Sequence, residues 1–217
     1  MTLSEENYLK TIYHIISASE GEVSTNAIAE KMETKASSVT DMLKKLAEKE
    51  LVVYKKYQGV SLTEKGNLAA KMIVRKHRLW EVFLVDKLQF PWDEVHDIAE
   101  QLEHIKSEKL INKLDEFLGN PTEDPHGDPI PDAQGKIIKV EKLLLSEVKE
   151  NQTGICVGVK DSSAEFLKYL DKNNIALGVT IKVNAIEDFD LSLQVTINGN
   201  ALLISNKIAA NLFVKII

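Results

Sequence analysis

Apolar positions along the first third of the chain recur with the spacing of helices and then change period. Leu9, Ile12, Tyr13, Ile15 and Ile16 make a stripe over residues 4–19 that predicts an amphipathic helix, with Ser4 as N-cap and Gly21 at its end. Ser24 caps a short helix through Ala27, Ile28, Ala29 and Met32. After a turn near residues 33–36, a further helix carries Val39, Met42, Leu43 and Leu46 inward. Residues 51–63 then read as two short strands around Gln58-Gly59, and Thr63 to Gly66 open the next helix.

Two short helices joined by a tight turn and followed by a hairpin have the order of a winged helix-turn-helix. That order also occurs in protein-binding modules, so by itself it does not establish DNA binding. Residues 66–90 predict a long helix through Leu68, Met72, Leu79, Val82, Phe83 and Leu84, broken at Pro91. Helices over 93–106 and 108–118 follow, the second carrying Leu110, Leu114, Phe117 and Leu118. Such apolar faces suit a dimer interface as well as a monomer core.

Between Gly119 and Gly135 stand four of the five prolines, the composition of a linker. Residues 140–150 are read as helical. Beyond them strands are predicted over 154–159, 179–186, 191–197, 202–205 and 213–217, with a helix over 162–171 and a hairpin at Asn198-Gly199. The fold class is mostly α with a small barrel-like β domain at the C-terminal end. The expected domains are 1–65, 66–140 with its proline-rich linker from 119, and 141–217.

The 217 residues can bury more than one core, and 44% hydrophobic with 28% charged content is ordinary for a soluble protein. No signal peptide or spanning segment is visible, and the single cysteine, Cys156, reads as a buried strand residue. The expectation is a cytoplasmic protein with no membrane partner. A net charge of −6 argues against indiscriminate binding to nucleic acid and leaves room for a local basic face.

The candidate chemistry lies in His96-Asp-Ile-Ala-Glu-Gln-Leu-Glu-His104. At about 100° per residue, His96, Glu100, Glu103 and His104 fall within an arc of roughly 100° with no Lys or Arg among them. His77 and Glu81 repeat the theme at i,i+4. A bound divalent cation would relieve this concentration of ligands, and a solvated helix face would also accommodate it. Nitrogen and oxygen donors without thiolate suit Mn(II), Fe(II), Zn(II) or Co(II), with the carboxylates leaning toward the harder ions.

With these elements placed, the chain resembles the diphtheria-toxin repressor family of iron- and manganese-dependent transcriptional repressors nearly end to end. The resemblance rests on Ser37-Ser38-Val39-Thr40, on Arg75 through Glu81, on Val95-His96 through Glu103-His104, and on Pro125 through Pro131. It implies a winged helix, a helical metal-binding and dimerisation domain, and an SH3-like C-terminal domain. It implies one metal position at His77, Glu81 and His96, completed by Asp124 or His126 in the linker or by Asp161 or Glu165 beyond it. A second position would use Glu100, Glu103 and His104 with Asn7 from the first helix. Glu100 favours Mn(II), with Fe(II) the alternative and Zn(II) or Co(II) able to substitute in vitro. Asn7 adds no charge, and Lys10, where some manganese-responsive members carry an acid, argues against a closely paired binuclear site.

The resemblance further implies a homodimer binding palindromic double-stranded operator DNA and controlling metal-ion homeostasis. Ser37, Ser38 and Thr40 at the start of the recognition helix are the expected DNA contacts. Lys35, Lys44, Lys45, Lys55 and Lys56 would meet phosphates, unless they are simply a solvated face. A metallohydrolase is the rival from another class, but no His-Glu-x-x-His occurs, and Glu100 stands where the reversed motif needs His. The expectation is therefore no enzyme and no small-molecule substrate, with a winged-helix sensor of an organic ligand as the remaining alternative.

Overall fold

The computed structural model describes residues 1–18, 23–55, 58–138 and 141–217. Helix α1 spans Leu3–Ala18. Its start is set by Thr2 rather than by Ser4: the Thr2 hydroxyl accepts from the Glu5 amide at 3.3 Å, and the Thr2 amide donates back to the Glu5 carboxylate at 3.0 Å. This reciprocal pair satisfies two of the helix's free donors, which leaves Ser4 inside the first turn. Ser24 caps α2, Thr25–Lys31, as expected. A left-handed Glu33 makes the turn into α3, Ala36–Glu48. Leu9, Ile12, Ile28, Val39, Leu43 and Leu46 are fully buried together, so three short amphipathic helices share one core.

Strands β1, Val52–Lys55, and β2, Gly59–Leu62, form the antiparallel wing, and Val23 bridges to Val60 beside it. Helix α4, Glu64–Asp86, is capped by Thr63, whose hydroxyl accepts from the Gly66 amide at 3.0 Å. A Cβ at Gly66 would lie 1.8 Å from the Leu51 carbonyl oxygen, so glycine permits the first turn of α4 to pack on the end of the helix-turn-helix. Arg75 on α4 ties to Asp115 at 2.6 Å on α6, Glu108–Phe117. Between them lies α5, His96–Leu102, shorter than the expected 93–106 because residues 92–95 form turns after Pro91.

The C-terminal part is a six-stranded antiparallel sheet in the order β3-β8-β4-β5-β6-β7. Its strands are β3 Leu143–Leu144, β4 Thr153–Val159, β5 Thr180–Ile186, β6 Leu193–Ile197, β7 Asn200–Ile204 and β8 Leu212–Ile216. Helix α7, Ala164–Lys172, buries Phe166, Leu167 and Leu170 among Val183, Val195 and Val214 from the sheet. A short α8, Asn206–Ala209, precedes β8. Asn198 and Gly199 both take positive φ, the turn whose twist matches a tight hairpin. The helix expected over 140–150 is instead β3 and a single 3-10 turn at Leu145–Glu147; residues 139 and 140 lie outside those described.

The proline-rich segment departs most from its composition. It is clamped rather than solvated: Asp124, His126, Gly127, Ile130 and Pro131 are buried. Arg78 on α4 donates to the Pro129 carbonyl and approaches Asp124 at 3.4 Å and Asp128 at 3.2 Å. On the other side the Val159 amide donates to the His126 carbonyl at 2.9 Å, joining the segment to β4. Prolines restrict the chain without supplying donors, so neighbours must fix the segment, and here both α4 and β4 do so.

Candidate metal centre

The centre is built outward from α4. One helical turn separates His77 from Glu81, so both side chains leave the same face, and both are buried. His77 Nε2 lies 3.0 Å from Glu81 Oε1 and 3.2 Å from Nδ1 of His96, the first residue of α5. The clamped linker adds two more groups: Asp124, and His126 with Nδ1 3.8 Å from Glu81 Oε2. Ligand atoms of His77, Glu81 and His96 lie within 4.8 Å of one another, as do those of Glu81, Asp124 and His126. The Glu81 carboxylate therefore belongs to both groups, one oxygen facing each.

Electrostatics make this a cation-seeking pocket. Burial would raise the Glu81 pKa, but the imidazoles of His126, His77 and His96 hold it far below the usual carboxylate range. Burial and then the Glu81 charge push Asp124 up to about 7. His126 goes up to about 9, because the Glu81 carboxylate outweighs the burial that disfavours its charge. Despite burial, His77 and His126 both hold their protons more tightly than a free imidazole because of the neighbouring carboxylates, and a divalent ion would displace those protons. The Nε2 of His126 faces the Trp92 carbonyl at 2.9 Å, which orients the ring so that Nδ1 points at the centre. Imidazole nitrogens and two buried carboxylates fit a divalent ion such as Mn(II), Fe(II) or Zn(II).

Asp161 lies across a cleft of about 480 Å³ from His96, with Asp93, Asp97 and Ser162 also in its lining. Its carboxylate accepts from the Ser163 amide at 2.9 Å. Glu165, in the first turn of α7, is exposed and joins neither ligand group.

The four residues on one arc of the 96–104 segment do not converge. His96 turns to His77 and Glu81, while Glu100 stays partly exposed, 4.0 Å from His96. Glu103, fully buried at the end of α5, contacts His77 Nδ1 at 2.6 Å and Lys10 Nζ at 2.5 Å. His104 pairs with Glu6 at 2.7 Å. The Asn7 side-chain oxygen and Glu103 Oε1 are buried without a hydrogen-bond partner. Glu6 and Arg78 escaped the sequence reading. Glu6 stands at i,i+4 from Lys10, a spacing that reads as a surface ion pair, although the shared stripe with buried Leu9 pointed inward.

On α3, Ser37 and Ser38 are exposed, as are Lys35, Lys44, Lys45 and, on β1, Lys55. Thr40 instead donates to the Ala36 carbonyl at 3.0 Å, and Lys44 pairs with Asp41 at 3.3 Å. Lys56 lies outside the described residues.

Three family descriptions cover this architecture in sequence. Residues 1–60 match the iron dependent repressor N-terminal DNA binding domain, residues 63–132 the iron dependent repressor metal binding and dimerisation domain, and residues 143–216 the FeoA domain. A solved structure described as a manganese-dependent transcriptional repressor complex with manganese is 36% identical, with a TM-score of 0.87 over 98% of this chain and 100% of that one. The chain belongs to the iron-dependent, or diphtheria toxin, repressor family. Within this repressor family, the iron-dependent repressor IdeR of Mycobacterium tuberculosis is 39% identical over 127 residues, 58% of this chain and 54% of that protein. The chain thus spans about half the length of such curated relatives. An uncharacterized HTH-type transcriptional regulator of Methanocaldococcus jannaschii is 36% identical over 118 residues, 54% of this chain and 94% of that protein.

Proposed function

We propose that this chain is a metal-dependent transcriptional repressor that binds palindromic operator DNA as a homodimer when loaded with Mn(II), thereby controlling metal-ion homeostasis in the cytoplasm. Fe(II) is the alternative signal, and Zn(II) or Co(II) substitutes in vitro. The reading rests on one observation: the buried Glu81 is shared between the groups His77–Glu81–His96, open to solvent only at His96, and Glu81–Asp124–His126, which is buried throughout. A divalent ion held there would supply positive charge to neutralise these carboxylates, with its ligands drawn from α4, α5 and the linker.

Each side chain has a definable part. His77, Glu81 and His96 would hold the ion from the helical domain, and Asp124 and His126 would add ligands from the linker that β4 grips. Asp161, which lines the same cleft as His96, is the candidate ligand from the C-terminal domain. Of the second expected set, Asn7, Glu103 and His104 meet at the seam between α1 and the end of α5, where Asn7 and Glu103 each keep one unpaired oxygen, while Glu100 stands apart beside His96. Exposed Ser37, Ser38 and the lysines of α3 and the wing meet the operator. Ordering of the helical domain fixes the distance between the two recognition helices of a dimer, so a metal that favours one arrangement acts as co-repressor.

The test is operator binding with a site selected from random DNA, titrated anaerobically with Mn(II), Fe(II), Zn(II) and Co(II) and reversed by chelator. Metal-stimulated, chelator-sensitive binding is expected. Equal affinity with and without metal would overturn the proposal.

A further inference from the structure

The His126 imidazole is held by a residue that belongs to neither ligand group. Trp92 stands in the turn that follows Pro91, between α4 and α5, and its ring stacks on His126 with centroids 6.0 Å apart and planes 13° from parallel. Its carbonyl meets His126 Nε2 at 2.9 Å, so the backbone and the indole of one residue fix both the direction and the tilt of that imidazole. What fixes Trp92 comes from the C-terminal domain. The indole packs against the core of that domain, and its Nε1–H is shared between the two carboxylate oxygens of Asp171 on α7, each 3.1 Å away. One turn earlier on α7, Lys168 Nζ reaches Asp93 at 3.4 Å, and Asp93 is the residue after Trp92. Two neighbours in the turn are thus gripped by one face of α7, while Phe166, Leu167 and Leu170 anchor the other in the sheet-domain core.

From this arrangement we infer that Trp92 is a positioning residue for the metal centre, set in place by Asp171, so that α7 of the C-terminal domain tunes how tightly the ion is held without donating a ligand. The inference rests on the metal-centre reading. The two grips on His126 have different parts: β4 fixes where its backbone stands, through the Val159 amide, and Trp92 fixes how its ring is turned. An imidazole already turned toward Glu81 gives up less rotamer freedom on binding an ion than one that must find its orientation. Asp171 itself is exposed, so removing it strands no buried charge and leaves the fold intact.

Mn(II) affinity of the full chain is measured by calorimetric titration for the parent protein, Asp171→Ala and Asp171→Asn, and again with Trp92→Phe added to each. The ring-proton resonances of His126, assigned with His126→Ala, are followed by NMR in the metal-free parent and in the two single Asp171 variants. Asp171→Ala should bind Mn(II) about tenfold more weakly, and Asp171→Asn, which keeps an acceptor for the indole and drops the charge, should stay within about twofold of the parent. With Trp92→Phe in place, Asp171→Ala should cost nothing further, because the donor through which it acts is gone. The His126 resonances should shift in Asp171→Ala, as the indole above them moves, and hold in Asp171→Asn. Parental affinity in Asp171→Ala would overturn the positioning role and leave the metal centre standing. An equal loss in Asp171→Asn would assign the effect to charge, and an undiminished loss beside Trp92→Phe would route it elsewhere; either result overturns the inference. No binding by the parent would remove the metal-centre reading, whereas unmoved His126 resonances in Asp171→Ala would refute the hold on His126 independently of any metal.

Discussion

Replacing Gly127 with alanine tests whether the C-terminal domain holds a metal ligand in place. Gly127 has φ +80°, and a Cβ there would lie 2.1 Å from the Val157 carbonyl oxygen and 2.5 Å from the Gly158 Cα. Optimal carbon contacts are about 3.5–4.0 Å, so the linker and β4 must separate by more than about 1 Å. Both sides are backbone, and no side-chain rotation relieves the overlap. The left-handed conformation costs alanine roughly 1–2 kcal/mol. Separation also strains the Val159-to-His126 backbone hydrogen bond, worth about 1 kcal/mol. The larger effect falls on the ligand next door: His126 moves away from Glu81, and losing the support of one ligand weakens metal affinity by about 10–100-fold. Gly119→Ala is the control, because it shares the positive φ (+81°) but has nothing within 4 Å of its added Cβ. Calorimetric titration with Mn(II) should show weakened binding in Gly127→Ala and parental affinity in Gly119→Ala. Equal affinity in both variants would refute the claim that β4 positions His126.

Three further outcomes follow from the same geometry. Folding pushes His126 up to about 9, where the Glu81 carboxylate outweighs burial, and burial pushes Asp124 up to about 7. Their contributions to metal-free stability are therefore complete below the unfolded values and lost as pH rises, through about 7 for Asp124 and about 9 for His126. Thermal melts without metal should fall from about pH 6 to about pH 9, and Mn(II), which needs deprotonated ligands, should raise the midpoint more at the alkaline end; a flat pair of profiles would contradict this. Asp115→Ala strands the buried Arg75 guanidinium and should cost about 3 kcal/mol in denaturant unfolding, whereas a loss below about 1 kcal/mol would mean that water compensates Arg75. Phe117, exposed at the end of α6, should lie in the dimer interface, so the parent should sediment as a dimer at micromolar concentration and Phe117→Asp as a monomer; a dimeric variant would move the interface elsewhere.

What could be read from the sequence alone was whatever depends on near neighbours along the chain. The stripe through Leu9, Ile12 and Ile16, the Ser24 cap, the Asn198-Gly199 hairpin and the His77/Glu81 pair all arise from periods of a few residues, set by backbone geometry before any tertiary contact forms. Even there a local competitor decided one detail, since Thr2 and Glu5 satisfy each other's donors and take the cap from Ser4. Nonlocal packing decided the rest. Proline content marked residues 119–135 as a linker, but Arg78 on α4 and the β4 backbone bury it and carry Asp124 and His126 to Glu81. The 96–104 segment displayed four ligands on one arc, yet the partners waiting at its ends separate them: His77 and Glu81 draw in His96, Lys10 takes Glu103, and Glu6 takes His104. Periodicity says which face a side chain leaves from, and only the tertiary structure supplies the opposite charge that it meets.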